Sequence, residues 1–422
     1  MISIANTTLN CIEIEDKWNF SDSSELLMHS IHAYPAKFPA FIATKAFEYA
    51  EQEGVAVESV ADVFCGCGTV ALEAKLHNKD FWGYDINPVA TLIAKAKSQD
   101  YNTEKLSTYF KKIKECFDSY LVEESLYKVA NDRIQYWFTV DSFNDLYKLK
   151  YAIQQKVNEK KYLNAYLCLF SSILKSCSKW LTKSIKPQVD PKKKEVNVWE
   201  AFSQQYSKFV RAVKQLEGNV SEKVKTNIKT SNFLTVGRLP AVDLIISSPP
   251  YVTSYEYADL HQLSTLWLQY AEDYRELRKG SIGSAYNSEE YVIDVKSLNT
   301  VGQSILTELM KTQKSTSQVR SIARYYADMQ KVIGRCAKML NNGGMVFFVV
   351  GDTEYKGVQI KNSEHLIESL KQSGFTDIKA AKRRISNKLL TPYRDKNGRF
   401  SSDKSNRTIY HEEFIISGRM WR

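Results

Sequence analysis

The sequence predicts an α/β protein whose centre is an open, Rossmann-like sheet with helices on both faces, accompanied by a largely helical insertion. Two strand-turn-helix patterns in the first hundred residues predict the sheet, and apolar strand patterns that return after residue 240 extend it. Helical periodicity with few strand patterns predicts the insertion. We expect a discontinuous α/β domain at residues 1–100 and 226–422, a helical insertion at 101–225, and a second helical segment at 256–330.

The first two units begin the sheet. A short apolar strand at residues 59–64 leads through CGCGT into an amphipathic stretch at 70–76. A second strand at 81–85 ends in Asp85 and is followed by a helical pattern at 89–97. Successive units of this kind are typical of a parallel sheet, because each helix carries the chain back to the start of the next strand.

Four later strand patterns complete the predicted sheet. Residues 241–246 form a buried-strand run that ends in SSPPY, and MVFFVV at 345–350 follows an NNGG turn. Residues 379–385 and 409–417 predict a hairpin with a long tip. Within the helical insertion, aromatic residues at helical spacing are expected to be core positions rather than a base-stacking surface: Trp137, Phe138, Tyr162 and Tyr166.

The composition is that of a globular protein with a basic bias. Of the 422 residues, 43% are hydrophobic and 25% are charged, which excludes collagen-like and wholly disordered chains. A net charge of +10 favours polyanionic partners without requiring one. The seven cysteines form no CxxC pair, the six histidines are scattered, and the first residues lack a signal-peptide layout. We expect reduced thiols, a cytoplasmic location, no membrane association and no metal site.

The CGCGT turn carries a ligand-binding pattern. Gly66, Gly68 and Ala71 fit G-x-G-x-x-A, and Asp85 follows Gly68 by seventeen residues. Glycines let backbone amides approach a ligand at a helix N-terminus, and an acid that ends the next strand accepts hydrogen bonds from ribose hydroxyls. The pattern favours an adenosine-containing cofactor without saying which one. Tight strand-to-helix packing is the alternative explanation of the glycines.

The SPPY segment follows the 241–246 strand, at the strand end where open α/β sheets bind ligands. The two prolines fix two φ angles and carry no N–H donor, so the segment offers acceptors in a stiff geometry. The Ser248 hydroxyl and the Pro249 carbonyl could accept both hydrogens of an exocyclic amine and direct its lone pair at an electrophilic methyl group. The Tyr251 ring offers a face for an extruded base. A proline-rich turn that merely ends a strand is the alternative.

Three motifs together resemble a known family. DVFCGCGT at 62–69, GYDINPVA at 83–90 and SSPPY at 247–251 are similar to the cofactor and catalytic motifs of S-adenosylmethionine-dependent DNA amino-methyltransferases. The S-P-P-Y form most resembles the cytosine-N4 branch. HAYPAKFP at 32–39 resembles the family's N-terminal motif, which lies against the methionine part of the cofactor.

The resemblance implies S-adenosylmethionine as cofactor, S-adenosylhomocysteine as product, and no metal. It places Asp85 at the ribose, and Asn232 near the adenine ring, where the family usually has an acid. The cofactor-binding residues implied are Tyr34, Lys37, Phe38, Asp62, Phe64, Gly66, Gly68, Thr69, Asp85, Asn87 and Asn232. The residues implied at the target amine are Ser248, Pro249, Pro250 and Tyr251.

Double-stranded DNA is the expected partner. A base inside a duplex is out of reach, so the enzyme would flip it out, at a cost of a few kcal/mol. The region at 379–407 is rich in Lys and Arg, and we expect it to contact phosphates. The residues expected there are Arg383, Arg384, Lys388, Arg394 and Arg399. A solvated hairpin is the alternative, and either helical segment, 101–225 or 256–330, could read the bases.

The leading hypothesis is a site-specific DNA methyltransferase that acts on cytosine N4. The alternatives within the same chemistry are adenine N6 in DNA and guanine N2 in RNA. A non-catalytic DNA-binding protein on this scaffold and an NAD-dependent oxidoreductase are alternatives from other classes. The resemblance is compatible with a role in a restriction-modification system, beside a separate restriction endonuclease.

Overall fold

The structure, a computed structural model, describes the 422-residue chain except residues 5–8, 20–23, 124, 219–223, 253–255, 285–290, 313–316, 356, 386–392, 395–402, 404–406 and 409–411. The strands are β1 (Ile2–Ser3), β2 (Ser59–Asp62), β3 (Asp80–Asp85), β4 (Thr226–Thr230), β5 (Val242–Ser247), β6 (Leu340–Val350), β7 (Thr353–Tyr355), β8 (Val358–Ile360), β9 (Phe375–Arg384), β10 (Tyr393–Arg394), β11 (Arg407–Thr408) and β12 (Glu412–Met420). The α-helices are α1 (Ala40–Gln52), α2 (Thr69–Leu76), α3 (Pro88–Ser98), α4 (Thr103–Ser119), α5 (Ser125–Lys128), α6 (Asp132–Trp137), α7 (Val140–Lys156), α8 (Lys160–Ile173), α9 (Val198–Leu216), α10 (Tyr257–Leu260), α11 (Gln262–Trp267), α12 (Thr300–Thr312), α13 (Ser317–Met339) and α14 (Asn362–Gln372).

Eight strands form one mixed sheet in the order β1-β9-β12-β6-β5-β2-β3-β4. The pairs β4–β3, β3–β2, β2–β5 and β5–β6 are parallel. β12 runs antiparallel to both of its neighbours, β6 and β9. The chain builds β2, β3 and β4 toward one edge and then resumes with β5 on the other side of β2. The strand order therefore reverses between β2 and β5, and crevices at such a reversal are where open α/β sheets bind ligands.

Both faces of the sheet are buried, which explains the apolar runs in its central strands. In β6, Val346, Phe348 and Val350 pack into one cluster with side chains of α12, α13 and α14. Met345, Phe347 and Val349 point the other way and join side chains of α1 and α2. This alternation follows from the period of two of an extended strand. The sheet with helices on both faces is the Rossmann-like methyltransferase architecture that the sequence predicted.

The stretch between β3 and β4 is helical, from α3 through α9. Its four predicted aromatic core positions are confirmed, because Trp137, Phe138, Tyr162 and Tyr166 are each at most 1% exposed. They belong to a large apolar cluster that also includes side chains of α2 and α3, so the helical stretch packs directly on the sheet's own helices. The division of the chain into domains stays a prediction. No helix among the described residues is both long and apolar enough to cross a membrane.

The predicted strands at the centre of the sheet are confirmed as β2, β3, β5 and β6, and the predicted terminal pair as β9 and β12. The predicted NNGG turn is wrong in one respect, because these residues lie inside β6. There Gly343 adopts a φ of 76°, and the register between β5 and β6 is irregular between Val242 and Leu244. The glycines therefore form an irregularity within the strand rather than a connection before it.

Candidate active site

The ends of β2 and β5 meet at the reversal of strand order. There the Ser247 hydroxyl donates a hydrogen bond to Oδ1 of Asp62 at 2.6 Å, and the backbone N–H of Phe64 donates to the same oxygen at 3.0 Å. Burial raises the pKa of Asp62 to about 7, although both hydrogen bonds favour the ionised form. The strand that leads into the SPPY segment is thus bonded directly to the strand that leads into the glycine loop.

The glycine loop is shaped by two left-handed residues, Gly66 at φ 49° and Gly68 at φ 76°. A Cβ atom on Gly68 would lie 2.6 Å from Cα and Cβ of Ala94 in α3, so close helix packing also requires this glycine. A Cβ on Gly66 would lie 3.6 Å from the Tyr34 ring. The packing explanation therefore holds for Gly68, while the positive φ of both residues fits a loop that exposes its backbone.

Asp85 ends β3 beside this loop. Its Oδ2 accepts from the N–H of Gly66 and its Oδ1 from the N–H of Asn87, both at 2.8 Å. Burial raises the pKa of this carboxyl to about 6, against the effect of the two backbone hydrogen bonds. A carboxylate has about four acceptor positions, so two remain for other donors. Ribose hydroxyls are donors of the right kind, and the residues present fit an adenosine-containing cofactor.

Side chains from three segments cover the loop. The Tyr34 ring lies 5.1 Å from the His261 ring and 6.2 Å from the Tyr257 ring, centroid to centroid. Nδ2 of Asn87 lies 2.8 Å from Nδ1 of His261, and burial lowers the pKa of this imidazole to about 3, so it is neutral. Sequence reasoning identified Tyr34 and Asn87 but missed Tyr257 and His261. Their position shortly after SPPY was the available signal.

Four other predicted cofactor-binding residues lie in different surroundings. Thr69 is buried at the first position of α2. Asn232 lies close to Asp85, since the N–H of Ser231 donates to the Asp85 carbonyl at 2.8 Å. Lys37 forms an ion pair of 2.5 Å with Glu25. Phe38 packs against the cluster formed by α1, α2 and one face of the sheet. Thr69 thus lies directly after the loop, and the cofactor-binding roles of Asn232, Lys37 and Phe38 stay predictions.

The SPPY segment has its serine oriented as an acceptor. The Ser248 hydroxyl donates to the carbonyl oxygen of Val349 at 3.0 Å, which commits its one hydrogen and leaves its lone pairs available. Pro249 is buried, and the half-buried Tyr251 donates its hydroxyl hydrogen to Oε1 of Glu413 at 2.7 Å. Burial and the Glu413 charge raise the pKa of Tyr251 well above its usual value, so the phenol remains a donor.

One predicted DNA contact is wrong. The side chain of Arg383 is only 3% exposed and forms an ion pair of 3.1 Å with Glu413, so it cannot reach a phosphate on the surface. Arg384 is exposed and stays a prediction. Arg394 lies in β10, whose side chains fall outside the described residues, as do Lys388 and Arg399 altogether. Among the described residues, no group of three or more His, Cys, Asp or Glu side chains could hold a metal ion.

Known proteins resemble parts of this chain. The family model of the N6 and N4 DNA methylases matches residues 4–96, which include the glycine loop, Asp85 and the N-terminal motif. This match supports a DNA amino-methyltransferase family for the chain. A relative from Kocuria varians, the Type II methyltransferase M.MvaI, is 25% identical over 395 residues, which are 86% of this chain and 85% of that protein. The Type II methyltransferase M.AvaI of Nostoc sp. is 27% identical over 147 residues, 32% of this chain and 30% of the relative.

Solved structures that match this chain include an S-adenosylmethionine-dependent O-methyltransferase from Thermotoga maritima, at 8% identity and a TM-score of 0.29, covering 92% of this chain and 66% of that one. An S-adenosylmethionine-dependent methyltransferase from Clostridium acetobutylicum matches at 8% identity and a TM-score of 0.30, covering 90% and 91%. The fold assignment rests on the strand order rather than on these superpositions. The cofactor of the family, S-adenosylmethionine, contains the ribose and adenine for which Asp85 and the loop are suited.

Proposed function

We propose that this DNA amino-methyltransferase methylates the exocyclic N4 amine of a cytosine flipped out of double-stranded DNA. The observation that carries the proposal is the orientation of Ser248, whose hydroxyl hydrogen is committed to the Val349 carbonyl at the end of β6. An acceptor fixed at this strand end suits an NH₂ group, which is a double donor. The serine in the S-P-P-Y form supports cytosine over adenine.

Amine activation follows from these acceptors. Oγ of Ser248 and the carbonyl oxygen of Pro249 each accept one amine hydrogen, so the nitrogen lone pair leaves conjugation with the ring and turns toward the cofactor. The Tyr251 ring supports the base by stacking. S-adenosylmethionine, when bound, supplies an electrophilic methyl group on a sulfonium. The methylated amine is cationic and acidic, so its proton can leave to water and no strong base is needed.

Cofactor binding is assigned to the loop side of the site. Asp85 would accept the ribose hydroxyls, and the Asp62 region would face the methionyl end. Tyr34 would lie over the loop at Gly66, where its ring already packs. A cytoplasmic location and a role beside a separate restriction endonuclease are part of the proposal. They are supported by the Type II name of the M.MvaI relative.

The test is to incubate the purified protein with methyl-labelled S-adenosylmethionine and mixed-sequence duplex DNA, and to identify the labelled nucleoside by mass spectrometry. N4-methylcytosine is the expected product. If the product is N6-methyladenine, the assignment of the active site stands and the assignment of cytosine as the target base is refuted. No label on the DNA would refute DNA methylation. Tyr251→Ala serves as the matched control, because it removes the stacking face and leaves the glycine loop unchanged.

A further inference from the structure

We propose that Glu413 and Arg383 are positioning residues that hold the Tyr251 ring in the orientation in which it receives the target base. This inference rests on the proposed function, in which Tyr251 touches the substrate. It gives a role to two residues that no sequence motif includes.

The contacts form one continuous chain. The Tyr251 hydroxyl donates to Oε1 of Glu413 at 2.7 Å, and Nη1 of Arg383 donates to Oε2 of the same carboxylate at 3.1 Å. One carboxylate oxygen of Glu413 therefore accepts a hydrogen bond from the tyrosine, and the other accepts one from the arginine. A phenol that donates to a carboxylate forms a charge-assisted hydrogen bond, which is stronger and more directional than a neutral one.

The sheet fixes this carboxylate in place. Arg383 of β9 and Glu413 of β12 are direct register partners, so their ion pair spans two adjacent strands. The next residue of β12, Phe414, pairs with Val350, and Gly351 follows at the end of β6. A Cβ on Gly351 would lie 3.1 Å from Cε2 of Tyr251. One edge of the tyrosine ring therefore rests on the end of β6, while its hydroxyl is anchored to β12.

The charged side chain of Arg383 is buried in the protein. Its side chain is 3% exposed and that of Glu413 is 14% exposed. The guanidinium carbon lies 5.7 Å from the Phe41 ring centre, and its buried Nε has no hydrogen-bond partner among the described residues. Burying a charge is costly, and such ion pairs often add little net stability compared with apolar side chains. The position of this ion pair beside a substrate-contacting tyrosine is better explained by orientation of that ring.

The experiment compares two ways of removing the contacts among Tyr251, Glu413 and Arg383. Tyr251→Phe keeps the ring and removes the hydroxyl. The double variant Arg383→Met/Glu413→Leu removes both charges together, so no buried charge is left unpaired. Each should lower kcat by about tenfold, the effect of losing one hydrogen bond that orients a reacting group. The Kd of S-adenosylhomocysteine, measured by calorimetry, should stay within about twofold, because the glycine loop is unchanged.

Non-additivity is the decisive result. Adding Tyr251→Phe to the double variant should lower kcat no further, since both changes act through the same hydrogen bond. Arg383→Met/Glu413→Gln keeps an acceptor for the phenol, leaves no buried charge unpaired and should retain most of the activity. Full kcat in the double variant, or losses that multiply in the triple variant, would overturn the proposal. Lys75→Met/Asp100→Asn, at an ion pair of 2.7 Å between α2 and the segment that follows α3, is the control for loss of two charges.

A measurement that does not depend on methyl transfer distinguishes failure of this inference from failure of the proposed function. The protein has 25 tyrosines, and after incorporation of 3-fluorotyrosine the Tyr251→Phe variant identifies the resonance of Tyr251 by ¹⁹F NMR. In the double variant that resonance should shift or broaden in the absence of DNA. If no polymer is methylated but the resonance responds, the proposed function fails and the positioning contact stands. If DNA is methylated and neither the resonance nor kcat changes, the positioning role fails and the function stands.

Discussion

Cofactor affinity should depend on pH through Asp85. Burial raises the pKa of this carboxyl to about 6. Ribose hydroxyls donate hydrogen bonds, so they favour the ionised carboxylate and compete with its protonation. The ionised fraction is about 0.9 at pH 7 and about 0.1 at pH 5. If only the ionised form binds well, the apparent Kd of S-adenosylhomocysteine rises about tenfold between pH 7 and pH 5, which is about 1.4 kcal/mol.

Isothermal titration calorimetry from pH 5 to pH 7 at constant ionic strength measures this directly. Titrations at pH 5 in two buffers of different ionisation enthalpy should show the release of about one proton on binding. Asp85→Asn should bind more weakly, and its affinity should vary less with pH. Asp62→Asn removes the neighbouring carboxyl that also titrates in this range, and it should keep the Asp85 dependence. The reasoning is refuted if the wild-type Kd is constant over this range, or if Asp85→Asn shows the full tenfold change.

Three further predictions concern stability and DNA binding. Burial raises the pKa of Asp62 from 3.8, the value expected in the unfolded chain, to about 7 in the folded protein. The stability associated with the protonated carboxyl is therefore fully present below pH 3.8 and is lost as the pH rises through 7. Asp62→Asn should therefore raise the melting temperature more at pH 8 than at pH 5. The free energy of unfolding should increase by at most about 4 kcal/mol, and equal increases at the two pH values would contradict this explanation. Gly68→Ala should destabilise by about 2–3 kcal/mol in urea denaturation, because of the 2.6 Å approach to Ala94, whereas Gly334→Ala, with no atom within 4 Å, should not destabilise. Arg384→Glu should reduce the slope of log K for DNA binding against log salt by about one, and an unchanged slope would remove Arg384 from the DNA contact.

Local patterns were sufficient to predict the sheet centre and the acids at its edge. Asp62 and Asp85 end strands with apolar residues at their centres, and open α/β sheets bind ligands at such strand ends. β4, TNIKT, was missed because it is an edge strand in which only Ile228 is buried, so the apolar pattern that reveals a strand is absent.

The error at Arg383 has a different cause. In the sequence this arginine stands among many basic residues, which suggested a phosphate-binding surface. Its partner Glu413 is thirty residues away, and only the pairing of β9 with β12 brings the two together. Local composition carries no information on strand register over such a distance, so neither the ion pair nor the contact with Tyr251 could be predicted.

The position of β12 affects how the chain can fold. β12 lies between β6 and β9, although both are synthesised before it. Until it arrives, β6 has an unpaired edge with the apolar sequence MVFFVV, and such an edge is a template for pairing with other chains. Formation of the sheet also requires contacts between residues far apart in sequence, which slows folding. During synthesis this edge is therefore a point at which the nascent chain is exposed to aggregation, and a binding site for chaperones until residues 412–420 leave the ribosome.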